Sequence, residues 1–153
     1  MTTMKTQSGF TLLEVMVAMV VLSIGLLGLA GLMASSMRNN QGAYHRTQAT
    51  WLAYDALDRV RANRAPALAG AYAGAAALGN PAACAPLAAP AGASIAAQDI
   101  AAWKNALKCA LPAGDGSIVV DAATGRVTVT VQWDDGRGTG GAAAQQFIVE
   151  SAL

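Results

Sequence analysis

The chain has 153 residues, ten basic against nine acidic, with one histidine and two cysteines. A formal charge of +1 lacks the marked basic excess of a general nucleic-acid binder. A lone His45 and the absence of a C-x-x-C pair speak against a zinc site, and the length leaves room for one domain plus one membrane span.

Between Lys5 and Arg38 the only ionisable side chain is Glu14, and Val15 to Met37 carries no charge. A bilayer core about 30 Å thick needs roughly 20 apolar helical residues, and Val15–Ala34 supplies them. A carboxylate at the edge of such a span costs several kcal/mol by most estimates and calls for a specific partner. A secretory signal peptide would place its cleavage site after the apolar run, and no A-x-A site closes this one. A plain single-span anchor explains the apolar run but not Glu14. Gly25, Gly28 and Gly31 lie inside the span, where small residues let helices approach closely; they also fit the ordinary abundance of glycine in membrane spans.

No proline occurs between Phe10 and Ala65. The stretch predicts one helix from about Thr11 to Asn63 or Arg64, about 80 Å long at 1.5 Å per residue. Its second half is amphipathic, with Ala49, Leu52 or Ala53, Ala56 or Leu57, and Val60 at helical spacing. Asp55 with Arg59 and Asp58 with Arg61 fall in the favourable acid-first order. Tyr44, Trp51 and Tyr54 read as packing residues, and Ala65-Pro66 as the helix stop. Residues 65–97 are mostly Ala, Gly and Pro, with little bulk to bury, and predict a loosely structured surface loop.

A second helix is expected around Asp99, with Ile100, Trp103, Leu107 and Leu111 on one side and Pro112 as terminator. Ile118-Val119-Val120 reads as a strand, Ala122–Gly125 as a turn, and Val127, Val129, Val131 and Trp133 as the inward side of a half-buried strand. Asp134–Gly141 is a Gly-rich loop and Phe147-Ile148-Val149 a third strand. Adjacent Asp134 and Asp135 lack the alternating oxygen ligands of a calcium loop, so they read as a solvated hairpin loop. The expected fold class is α+β: a long N-terminal helix, its first half membrane-spanning, packed on an antiparallel sheet of about three strands, with one extra short helix.

Ser8-Gly9-Phe10-Thr11-Leu12-Leu13-Glu14, ahead of an uncharged span, resembles the N-terminus of the type IV pilin family. The resemblance implies a leader of residues 1–9 cut by a prepilin peptidase between Gly9 and Phe10, N-methylation of Phe10, and a retained Glu14. That carboxylate would pair with the Phe10 amine of a neighbouring subunit and set axial register, since an unpaired charge in low dielectric is costly. It also implies a transmembrane and filament-core helix over 10–36, its amphipathic continuation over 37–64, an Ala/Gly/Pro-rich loop over 65–98, and a short helix plus sheet over 99–153. Losing Lys5 with the leader would leave nine basic against nine acidic residues.

Ser23–Leu32, Leu52–Arg64 and the Trp103 helix ending in Leu111-Pro112, with Gly114 and Gly116 beyond, resemble the minor pilins of the PilV type. The 65–97 segment matches no motif of that type. The implied role is a structural subunit that primes pilus assembly and sits in a tip complex, for twitching motility and adhesion. The implied partners are other minor and major pilins, the peptidase, the inner-membrane assembly platform and a large tip adhesin. The chain would be single-pass in the inner membrane with a periplasmic domain, then part of the surface pilus. In that oxidising compartment Cys84 and Cys109 read as one disulfide. No cofactor is expected.

Three rival classes differ in what they need. A minor pseudopilin of a type II secretion system shares the leader, Glu14 and the fold. A DNA-capturing pilin would use Arg38, Arg46, Arg59, Arg61 and Arg64, but these lie on a helix expected to face the sheet or the filament, several beside aspartates. An enzyme would need a catalytic set, and none assembles around a lone His45.

Overall fold

The computed structural model describes residues 9–75, 77–78, 84–85, 93–136 and 142–153. The chain divides into two units, 1–38 and 39–153. Helix α1 (Leu12–Ala62) contributes to both: it is the regular structure among the described residues of the first, and one packed helix of the second.

In the first unit every described residue is exposed, including Leu13, Val17, Leu22, Leu27 and Leu32. Among the described residues nothing covers them, so they need lipid or neighbouring chains to leave water. A Cβ built on Gly25, Gly28 or Gly31 meets nothing within 4 Å. Nothing among the described residues therefore requires glycine there.

The second unit has its own core. Ala49, Ala53, Ala56, Leu57 and Val60 of α1 are buried at the predicted spacing. They share one apolar cluster with Trp103 and Leu107 of α3 (Ile95–Ala110) and with Val127, Val129 and Val131 of the sheet. Strands β1 (Asp115–Asp121), β2 (Arg126–Trp133) and β3 (Gln145–Ala152) form an antiparallel meander in the order β1-β2-β3. In β2 the alternation places Val127, Val129, Val131 and Trp133 inside. Gly125, at φ 66°, takes the left-handed position that closes the β1–β2 turn. One long helix, a three-stranded antiparallel sheet and a short extra helix make this an α+β, pilin-like fold.

Helix α3 starts at Ile95, four residues earlier than the apolar pattern suggested. Ser94 is its N-cap, accepting a hydrogen bond from the Ala97 N–H on Oγ. Trp103 is fully buried, and its Nε1–H donates to the Leu52 carbonyl of α1 over 2.8 Å. Every described core residue and both cysteines belong to 49–153, so the core of the unit 39–153 draws on no residue of the apolar span. Cys84 and Cys109 are joined in a disulfide, Cα atoms 4.8 Å apart.

The loose loop expected over 65–97 is corrected over 65–75 and from Ile95 onward, whereas the described residues 77–78, 84–85 and 93–94 carry no helix or strand. After a break at Asn63 a short helix α2 (Arg64–Leu68) resumes, with Pro66 in its first turn, where a missing N–H costs little. A 3₁₀ turn (Ala73–Ala75) follows, and Ala67, Tyr72 and Ala75 enter the core. Residues 76, 79–83 and 86–92 of the expected loop lie outside the described residues.

What recruits the segment is Tyr72, 1% exposed. Its hydroxyl donates to Asp99 (2.7 Å) and accepts from the Asn63 amide (3.3 Å). Arg59 bridges Asp55 (2.9 Å) and Asp99 (3.4 Å), closing a network between α1, the 72–75 turn and α3. Burial and then the hydrogen bond to Asp99 raise the Tyr72 pKa above the usual tyrosine range. A raised folded pKa keeps the neutral phenol in the native state. Its stabilisation is present below pH about 10 and lost as pH rises through the folded value. The urea midpoint of residues 39–153 is therefore expected to fall more steeply above pH about 10 than that of Tyr72→Phe; equal slopes would refute this.

Two other expectations are corrected. Tyr44, Trp51 and Tyr54 are not packing residues within this chain, being 58%, 65% and 50% exposed. They lie on the α1 face opposite Ala49, Ala53 and Ala56, the face that touches neither α3 nor the sheet. Asp135 is no solvated loop residue: it is 4% exposed, with an Arg46 guanidinium nitrogen 3.7 Å from its carboxylate. Residues 137–141 of that loop lie outside the described residues.

Candidate assembly site at the start of the long helix

The site is built on the first turn of α1. Thr11 is the residue before the helix. Its carbonyl accepts from the Glu14 and Val15 N–H groups (3.1 and 3.3 Å), and its Oγ1 accepts from the Glu14 N–H (3.3 Å). Thr11 was not among the expected site residues, although Thr11-Leu12-Leu13-Glu14 is the T-x-x-E pattern of a capping box. Glu14 therefore has a local reason to be acidic, because a carboxylate in the first turn faces the positive end of the helix dipole.

Capping accounts for Glu14's place but not for its setting. Phe10 is 84% exposed, and Phe10, Glu14, Val15, Ala18, Met19 and Leu22 line one shallow groove on a single helix face. Among the described residues, no hydrogen bond or ion pair is formed with the Glu14 carboxylate. An amine created at Phe10 would lie four residues before this acid, beside the same groove. Gly9 is exposed, and a Cβ built on it meets nothing described within 4 Å. Residues 1–8 of the leader lie outside the described residues.

Residues 4–30 match the prokaryotic N-terminal methylation motif. The chain carries a type IV pilin-like N-terminus. The matched stretch spans the Gly9–Phe10 junction, Glu14 and two of the three span glycines, Gly25 and Gly28, and it supports a pilin or pseudopilin. No curated protein and no solved structure matches the chain. The motif and the exposed apolar helix together fit a membrane-anchored structural protein rather than an enzyme.

The remaining candidate chemistry is distributed otherwise. Cys84 and Cys109 are joined within the second unit and are no part of this site. Of the five arginines considered for DNA, Arg59 holds Asp55 and Asp99, Arg61 holds Asp58 at 3.4 Å and the Ser151 hydroxyl, and Arg46 faces Asp135. Guanidinium groups committed to carboxylates make a poor phosphate track. Among the described residues no group of three His, Cys, Asp or Glu side chains is placed to hold a metal ion.

Proposed function

We propose that this protein is a minor pilin that primes type IV pilus assembly from the inner membrane and sits in a tip complex supporting a large adhesin. The carrying observation is the exposed face that combines Phe10 and Glu14 at the head of a wholly uncovered apolar helix. Such a helix needs lipid first and packed neighbours later, and both are what a pilin is given in turn. Cleavage between Gly9 and Phe10 by the prepilin peptidase creates a cation at Phe10, which is then N-methylated. Glu14 of one subunit pairs with that amine on a neighbouring pilin and selects axial register, because opposite charges attract strongly where water is excluded. Gly25, Gly28 and Gly31, open on all sides within the chain, then allow close helix approach. The disulfide suits an oxidising periplasmic and surface location. The PilV-type role rests on Ser23–Leu32, Leu52–Arg64 and the Trp103 helix.

Mass spectrometry of the native protein tests the first step: the expected N-terminus is methylated Phe10, and Gly9→Val is expected to keep the leader. An intact leader on the wild-type protein would overturn the reading. A deletion strain should lose surface pili and twitching. Normal twitching with defective exoprotein export would instead make the chain a minor pseudopilin.

A further inference from the structure

Strand β3 pairs with β2 on one side, and among the described residues no strand pairs with its other side. The Leu153 N–H donates to the Gly125 carbonyl over 2.9 Å, and in an antiparallel ladder hydrogen-bonded and non-bonded pairs alternate. Counting back from that bond, Ser151, Val149 and Phe147 bond to β2, while Gln146, Ile148 and Glu150 turn their N–H and C=O groups outward. The same three residues are exposed. The strand has none of the proline, lysine or bulge that ordinarily guards an edge.

The order of residues along β3 identifies what fits this edge. Read outward from Ile148, the strand has the same polarity in both directions: Phe147 and Val149 are apolar, Gln146 and Glu150 polar, Gln145 and Ser151 polar. Two such strands, antiparallel about a twofold axis at Ile148, set Ile148 against Ile148, Gln146 against Glu150 and Phe147 against Val149. An axis at Phe147 would instead set Gln146 against Ile148. An axis at Val149 would set Ile148 against Glu150 and Phe147 against Ser151. The Ile148 register alone, of these three, matches both faces of the sheet. In it the Gln146 amide can donate to the opposite Glu150 carboxylate, and no two acids oppose one another. Arg126 already balances that carboxylate at 3.1 Å.

We infer that β3 is a self-complementary edge, at which the unit 39–153 of one copy joins the same unit of a second copy by antiparallel β3–β3 pairing centred on Ile148. The result is one continuous sheet in the order β1-β2-β3-β3-β2-β1. Its axis is normal to the sheet, so the core-facing sides of both copies stay on one side. That placement completes a core which stops short in the single chain: Val129 and Val131 of β2 are fully buried, whereas their β3 partners Val149 and Phe147 are half-buried. Each half-buried residue gains an apolar neighbour from the second copy. The pairing uses residues of the second unit alone and does not rest on the proposed function.

Cysteine linking of the full-length protein in detergent tests this. The native cysteines are already joined, so the introduced thiol is the reactive one. Hydrogen-bonded antiparallel partners have Cα atoms about 5.5 Å apart, within disulfide reach, and Ile148→Cys is expected to give a covalent dimer on oxidation. Two Gln146→Cys chains would hold their thiols roughly 13 Å apart along the strand and should not link. Gln146→Cys mixed with Glu150→Cys should link about tenfold faster than Gln146→Cys by itself. Adding Ile148→Lys, which opposes like charges at the axis, should cut that linking about tenfold or more. So should Ile148→Pro, which removes an outward N–H; unchanged urea midpoints show that both variants fold. Linking that survives both in folded protein overturns the inference. So does equal linking of the Gln146→Cys self-pair and the mixed pair, which would mean that no register is fixed. Copies that associate through the apolar helix while Ile148→Cys stays unlinked overturn it as well. A disulfide from Ile148→Cys to a different protein in the native host does the same.

Discussion

Trp103→Ala is expected to lower the stability of residues 39–153 by about 3–5 kcal/mol, the usual cost of deleting a buried aromatic side chain. The indole sits where α3, α1 and the sheet meet, fully buried. The space beside it is already fitted closely: a Cβ built on Gly116 of β1 would lie 2.5 Å from the Trp103 ring and 2.8 Å from the Thr130 carbonyl oxygen. Neighbours held that tightly by backbone collapse poorly into a void. Domains of this size are stable by only about 5–15 kcal/mol, so the variant should be largely unfolded at modest urea. Trp103→Phe keeps most of the apolar contact and loses the hydrogen bond to the Leu52 carbonyl, a cost of about 1 kcal/mol. An alanine variant with a midpoint near wild type would refute the placement of Trp103 at the centre of the core.

For Glu14→Ala the expected result is normal leader removal with a loss of about tenfold or more in incorporation into sheared filaments. Two energies move together. A carboxylate near the apolar span costs up to about 3 kcal/mol in lipid, so its removal stabilises the membrane-held subunit. The proposed ion pair with a neighbouring amine would disappear at the same time, and each 1.4 kcal/mol of the combined change is a factor of ten. Glu14→Gln distinguishes charge from capping, because glutamine still serves the first turn as the third helical residue after Thr11. The pairing account requires Gln to fail nearly as badly as Ala. Filaments that accept the Glu14→Gln variant at wild-type levels would reduce Glu14 to a helix-capping residue. Retention of the leader in either variant would place the fault at cleavage rather than at assembly.

Local pattern made much of this protein legible. The uncharged run after Glu14 marked the exposed span, and the Ala49–Val60 spacing marked the buried face of α1, because helical periodicity is written within a few turns of chain. Two-residue alternation did the same for β2, and the paired Asp55–Arg59 and Asp58–Arg61 needed only i,i+4 and i,i+3 geometry. The N-terminal methylation motif was readable for the same reason, its signal being written in consecutive residues, and the Thr11 cap within it is equally local.

Other features depended on residues far apart in the chain. Tyr72 stands in an Ala-Gly-Pro stretch with no local reason for burial; Asp99 and Asn63, distant in the chain, give its hydroxyl partners and hold the 72–75 turn in the core. Trp51 and Tyr54 share a helix with Leu57, yet the sheet and α3 occupy just one side of it, which leaves the two aromatics in the open. Asp135 sits next to Asp134 in sequence but is drawn inward against Arg46 of α1. Gly116 has an ordinary backbone, and what demands glycine there is the ring of Trp103. The amino-acid order by itself determined which segments coil, extend or enter lipid, because those choices are made between near neighbours. Which side chains are covered, and which strand edge is left bare, was decided by tertiary packing, since burial is a property of what arrives from elsewhere in the chain.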